Sequence, residues 1–194
     1  MKLNNLLEAK TLFGKLLFKD DYDYDYSHEE LTSLMHGPTD VKGSFFCNNN
    51  QLSSLMYGPT KTGSTFDCSC NNLTTLEHAP TSVGYDFDCS RNKLTALKLS
   101  VSSINHNFKC EHNKLTSLQG IHKQIEHIGN IADFRFNPIK SHVLGLLKIK
   151  VLQQAYFDDA ELTKIINKHL KGSRSIFDCQ AELEDAGLEE FAQL

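Results

Sequence analysis

Six cysteines and nine histidines are the residues of this 194-residue chain with the widest choice of chemistry. They could form disulfides, hold a metal ion or supply nucleophiles and proton carriers. Cys47, Cys68, Cys89 and Cys110 recur every 21 residues. A zinc site wants ligand pairs about two to four residues apart, with a second pair or histidines nearby. Cys68-x-Cys70 is the one close pair, and its members straddle a turn, where they need not point together. Free cysteine packs as a small hydrophobe. If the spacing marks stacked rungs about 4.8 Å apart, neighbouring thiols could tempt a disulfide, but the geometry suits a whole column poorly. The expectation is a column of reduced, inward-facing thiols, at home in a reducing cytoplasm. Cys70 and Cys179 lie outside the column and would be reactive if exposed.

His106, His112, His122 and His127 crowd one stretch, with His106 and His127 in the same nominal column. Such a cluster could bind zinc or move protons, which keeps a metal protein or enzyme open as a reading. No carboxylate or cysteine accompanies it at ligand spacing, so polar surface residues are the expectation. His36 and His78, with Tyr57 in the equivalent place, read as a surface stripe. Gly-x-Ser-x-Gly, HExxH and a phosphate-cradling glycine loop are all missing from the sequence, which leaves no catalytic residue, cofactor or metal to expect.

The elements that carry these residues follow from internal repetition. Cutting before each Leu-Thr or Leu-Ser gives LTSLMHGPTDVKGSFFCNNNQ from Leu31, LSSLMYGPTKTGSTFDCSCNN from Leu52, LTTLEHAPTSVGYDFDCSRNK from Leu73 and LTALKLSVSSINHNFKCEHNK from Leu94. A fifth unit from Leu115 runs about three residues longer and ends in FRFNPI. Upstream, DDYDYDYSHEE aligns as a half-repeat, with Tyr24 and Tyr26 where phenylalanine and cysteine fall later. The heads are followed three residues later by Leu34, Leu55, Leu76, Leu97 and Leu118, and ten later by Val41, Thr62, Val83, Ile104 and Ile125. Phe45 and Cys47, and their counterparts Phe66 and Cys68, Phe87 and Cys89, Phe108 and Cys110, alternate with polar residues as a short strand buried on one face. Asn50, Asn71, Asn92 and Asn113 follow, placed to satisfy buried backbone groups of their own and the next rung. One repeat cannot bury these columns alone, so the units must stack into a solenoid.

The pattern resembles the leucine-rich repeat, whose Leu-x-Leu-x-x-Asn-x-Leu signature stands here as Phe66-x-Cys68-x-x-Asn71-x-Leu73. The register LTxLxxxPxxV, with Pro38, Pro59 and Pro80 in one column, looks most like the short bacterial subtype, and the Phe and Cys substitutions resemble short repeat proteins encoded by phages and prophages. The resemblance covers about residues 20–139. It implies a short parallel sheet on the concave side and an extended, polyproline-like convex side. Some bacterial proteins of this subtype carry a ubiquitin-ligase domain. Residues 140–194 are too few for one and lack a matching cysteine motif.

Residues 1–19, with Leu3, Leu6, Leu7, Phe13, Leu16, Leu17 and Phe18, read as an amphipathic N-terminal cap. Residues 20–139 are the solenoid, closed by Asn137-Pro138-Ile139, where proline is expected to stop the strand ladder. Residues 140–194 shift to a helical period and form a C-terminal α-helical lobe. Val143, Leu144, Leu147 and Val151 mark one helix. Leu162, Ile165, Ile166 and Leu170 mark another, closed by Gly172. A third, with a break, spans roughly 175–192 with Phe177, Leu183, Leu188 and Phe191 apolar.

Side chains flanking the buried Phe and Cys should face the concave side. These are Ser44, Phe46 and Asn48, then Thr65, Asp67 and Ser69, then Asp86, Asp88 and Ser90, then Asn107, Lys109 and Glu111. Asp23, Asp25 and Ser27 from the half-repeat, and Asp133 and Arg135 from the fifth unit, extend the face. Asp23, Asp25, Phe46, Asp67, Asp86, Asp88, Lys109, Glu111 and Arg135 are the candidate binding residues. Like charges on neighbouring strands destabilise, so folding alone gives no reason for Asp67, Asp86 and Asp88 to adjoin, whereas a basic protein partner would. Composition agrees. A net charge of −4 does not suit nucleic acid, 40% hydrophobic residues exceed a disordered chain, and no apolar run nears a membrane span. The opening MKLNNLLEAK is polar where a secretory leader would be apolar. The expectation is a cytoplasmic, non-catalytic protein-binding module with a basic protein partner and no small-molecule substrate. For the phage-like resemblance, the partner would be a host defence or nucleic-acid-processing protein. The alternative is a structural or assembly component, such as a self-associating virion protein.

Overall fold

The computed structural model describes residues 18–19, 22–99 and 101–193, and the expected cap at 1–19 lies outside them except for its last two residues. The chain coils as a parallel β-solenoid of about six turns, compatible with an LRR-like architecture. The strands in chain order are β1 (Phe18–Lys19), β2 (Asp23–Asp25), β3 (Asp40–Val41), β4 (Phe45–Phe46), β5 (Lys61–Thr62), β6 (Phe66–Asp67) and β7 (Ser82–Val83). They continue as β8 (Phe87–Asp88), β9 (Ser103–Ile104), β10 (Phe108–Lys109), β11 (His127–Ile128), β12 (Ile131–Asp133) and β13 (Gln154–Tyr156). Short helix α1 (Ile121–Gln124) precedes β11, and α2 (Ala160–Lys171) and α3 (Ile176–Asp185) follow β13. One sheet has eight strands in the order β1-β2-β4-β6-β8-β10-β12-β13, and the other has five, β11-β9-β7-β5-β3. All pairs are parallel except β1 with β2, which is antiparallel.

The core is a set of columns in register. Phe45, Phe66, Phe87 and Phe108 are fully buried, and successive rings lie 5.4–5.9 Å apart between centroids. Cys47, Cys68, Cys89 and Cys110 are buried free thiols, as their spacing suggests. Burial first, and neighbouring acidic groups second, push the Cys47 and Cys68 thiols well above their ordinary range. In the fifth turn Ala132 takes the phenylalanine position and Phe134 the cysteine position, and Ala155 and Phe157 repeat the exchange in the sixth. Large and small swap sides, which keeps the core filled. Phe134 lies 6.0 Å from Phe108 and 5.8 Å from Phe157.

Asparagine ties the rungs together. The Asn71 Oδ1 accepts from the Leu52 N–H at 2.9 Å, while its Nδ2 donates to the Cys47 and Cys68 carbonyls at 2.9 and 3.1 Å. Asn50, Asn92, Asn113 and Asn137 repeat the arrangement. The amide thus reaches back to the preceding rung rather than forward to the next. Close approach on the other side needs glycine, because a Cβ on Gly84 would sit 2.0 Å from the Gly63 carbonyl oxygen.

Three expectations are corrected here. Ile128, not Ile125, pairs with Ile104, because the extra residues of the fifth unit wind into α1 ahead of β11. His127 therefore aligns with Ser103, and Asn130 takes the place beside His106. Pro138 does not end the ladder, since it lies outside any strand and β13 pairs with β12 beyond it. The stretch expected as a first helix is a 3-10 turn, Val143–Lys148, and Val151 then bridges to His127. The ladder therefore runs past the boundary placed at 139. The later helices match their sequence signals. α2 starts on an Asp159 cap and stops at Gly172, and α3 starts on Ser175. Leu183 and Phe191 are buried, but Phe177 is 82% exposed and the inward positions of α3 are taken by Cys179 and Leu183.

Candidate functional site

Strand alternation sends one side chain per rung outward from the eight-stranded sheet, and parallel register lines these up as Asp25, Phe46, Asp67, Asp88, Lys109, Asp133 and Tyr156. The first six were legible in the sequence. Tyr156 was not, because its rung lies in the segment that reads as helical. Asp67 and Asp88 each fold back to accept an N–H two residues on, from Ser69 at 2.9 Å and Ser90 at 3.0 Å. Neither has a cationic side chain in ion-pair contact among the described residues. Partial burial, with Asp88 adding repulsion against the bonds from Ser69, raises the Asp67 carboxyl above its usual range.

The flanking column behaves differently. Asp86 is buried, and its Oδ1 meets the His106 Nδ1 at 2.7 Å and the Asn107 N–H at 3.1 Å, while its Oδ2 pairs with the Lys109 Nζ at 2.8 Å. Burial would raise this carboxyl, but donation from Lys109, His106 and Asn107 outweighs it and holds Asp86 below the ordinary range. Asp86 and Lys109 are thus committed to each other, whereas the sequence pattern presents them as two separate candidates on a face acidic in its first half and mixed in its second. His106 also stacks on Tyr85 at 4.3 Å. A sequence signal existed: Tyr85, His106 and Asn130 follow one another one turn apart at the sheet margin.

Asp23 accepts from the Ser44 N–H at 2.5 Å, and Asp25 accepts from the N–H and hydroxyl of Ser27. Phe46 is half-buried in its rung. The Glu111 Oε2 is enclosed without a hydrogen-bond partner, and burial followed by repulsion from Asp133 and Asp88 raises this carboxyl. Arg135 pairs with Asp133 at 2.5 Å and lies 5.7 Å from the Tyr156 ring centre. At the sheet's border His112 stacks flat on Phe136 at 4.1 Å, and Phe136 is 56% exposed.

The four histidines do not converge. His106 serves Asp86, His112 serves Phe136, His122 lies beside the 3-10 turn, and His127 sits in the second sheet. Among the described residues no group of three or more His, Cys, Asp or Glu side chains is arranged to hold a metal ion. Cys179 is buried, and burial and then Glu182 push its thiol up to about 12, whereas Cys70 is partly exposed at φ 54°. No helix among the described residues is long and apolar enough to cross a membrane. The chain matches none of the family models, curated proteins or solved structures with which it was compared.

Proposed function

We propose that this protein is a non-catalytic binding module of the leucine-rich-repeat type, which receives a protein partner with a basic surface on the outward face of its eight-stranded sheet. The observation that carries the reading is the Asp67–Asp88 pair. These carboxylates stand in register on adjacent strands, neither is in ion-pair contact among the described residues because Lys109, one rung beyond Asp88, is engaged by Asp86, and Asp67 is held in an environment that disfavours its charge. Adjacent like charges oppose folding, so a partner's cations supply the compensation the fold does not. Phe46, in the same column one rung earlier, adds an apolar contact. The resemblance to phage-encoded repeat proteins extends the proposal to a host protein as the partner, bound and inhibited in a reducing cytoplasm.

The test is a charge reversal confined to the two unpaired positions, Asp67→Lys with Asp88→Lys. Asp86 is left alone because its bonds to His106 and Lys109 are structural. Proteins captured from host lysate are compared between the native chain, this variant and a control with Glu189→Lys and Glu190→Lys. A partner retained by the control and lost by the Asp67/Asp88 variant supports the reading. A partner retained equally by all three overturns it.

A further inference from the structure

The last rung of a solenoid presents an open strand edge, a template for pairing with another chain. In β13 the alternate residues Gln154 and Tyr156 turn their backbone groups to the preceding rung: the Gln154 N–H donates to the Asn130 carbonyl at 3.2 Å, and the Tyr156 carbonyl accepts from Phe134 at 2.9 Å. Ala155 and Phe157 turn theirs outward. Both are met by side chains of α2. The Asn167 Oδ1 accepts from the Ala155 N–H at 2.7 Å and its Nδ2 donates to the Ala155 carbonyl at 2.9 Å. The Thr163 hydroxyl accepts from the Phe157 N–H at 3.0 Å and donates to the Phe157 carbonyl at 3.2 Å.

The fit has a geometric basis. Residues four apart on a helix are separated by about 6.0 Å along its axis, and residues two apart on a strand by about 6.6 Å. Thr163 and Asn167 therefore match the spacing of Phe157 and Ala155, and each carries one donor and one acceptor, as a paired strand residue would. The helix also packs on the core, so the edge becomes accessible to another chain only when α2 lifts off β13, which the four surrogate bonds oppose. Leu162, Ile165, Ile166 and Leu170 are buried on its inner face, and Arg174 beyond its end donates to the Ile149 and Leu152 carbonyls.

We propose that Thr163 and Asn167 act as a surrogate strand, closing the outer edge of β13 against pairing with a second copy of this chain. A second copy fits that edge because an antiparallel β13–β13 pair is self-complementary: each Ala155 and Phe157 offers the donors and acceptors the other requires.

The test replaces the surrogate with side chains of similar shape and no matching hydrogen bonds, Thr163→Val with Asn167→Leu. The native chain and the variant are compared by light scattering over a concentration series, with circular dichroism to check the fold. The expected result is an added, concentration-dependent association that doubles the apparent mass relative to the native chain. Adding Ala155→Pro removes the outward N–H without touching the bonds to β12, and should abolish that association. A folded double variant that associates no more than the native chain overturns the proposal. So does association that survives Ala155→Pro. If the double variant does not fold, Thr163→Val and Asn167→Asp are measured singly, and a folded single variant decides by the same criterion.

Discussion

Replacing Asn71 by leucine should unlock one rung of the solenoid while keeping its volume nearly constant. Three bonds go. The Leu52 N–H loses its acceptor at 2.9 Å, and the Cys47 and Cys68 carbonyls lose donors at 2.9 and 3.1 Å. The carbonyls are insured, since Cys47 keeps the Asn50 amide and Cys68 the Asn92 amide. The Leu52 N–H has no such reserve and becomes an orphaned donor in a buried setting. One orphaned donor costs about 1–3 kcal/mol and the two bonds to the cysteine carbonyls about 1 kcal/mol net each, so a loss of about 3–5 kcal/mol is expected. Against a typical stability of about 5–15 kcal/mol this is severe. In urea unfolding, at a slope of about 2 kcal/mol per molar, the midpoint should fall by about 1.5–2.5 M. The adjacent Asn72 is the control. Its part in the ladder is a backbone bond to the Leu52 carbonyl at 2.8 Å, which Asn72→Leu leaves intact. If Asn71→Leu shifts the midpoint by less than about 0.5 M, or if both variants shift it alike, the asparagine ladder does not hold the rungs together.

Asp67 and Asp86 should respond to pH in opposite senses. The raised Asp67 carboxyl loses stability for the fold as pH climbs from its unfolded value through its folded one, so Asp67→Asn should be more stable than the native chain at neutral pH and indistinguishable well below the carboxylate range. The depressed Asp86 carboxyl contributes stability above its unfolded value and loses it as pH falls through the folded one, so Asp86→Asn should be less stable at neutral pH, with the difference vanishing in acid. Urea midpoints across pH check both. Gly84→Ala drives a Cβ to 2.0 Å from a backbone carbonyl that cannot rotate away, and thermal unfolding should show a loss of about 2–3 kcal/mol. Of the six free cysteines only Cys70 is partly exposed, so a thiol reagent should label one site quickly in the native protein and six after denaturation. A second fast site would contradict the buried column.

How far the sequence reaches depends on whether a feature repeats. Phe45, Cys47 and Asn50 recur with identical spacing, so their inward orientation and stacking follow from arithmetic alone. Phe134 and Phe157 break the pattern, because phenylalanine has moved to the cysteine side and only its packing against Phe108 shows that the core continues. The sixth rung, β13, has no leucine head and no Phe-x-Cys pair, so its apolar residues suggest a helix until their pairing with β12 is seen. The outward face shows the same division. Its column of Asp25, Phe46, Asp67 and Asp88 follows from alternation, but Asp86 and Lys109 look like two independent charges until their contact at 2.8 Å joins them.

The repeat by itself determined that this chain stacks short parallel strands with aromatic and thiol columns inside and an acidic strip outside. It could do so because a two-residue alternation within a 21-residue period is a local property that needs no knowledge of neighbours. Tertiary structure alone decided which carboxylates remain unpaired, where the fifth unit absorbs its extra residues, and how the ladder ends against Thr163 and Asn167. Those outcomes depend on side chains about 20 to 25 positions apart meeting across rungs, or on a helix meeting a strand edge. Their energies come from contacts in space, which spacing along the chain does not encode.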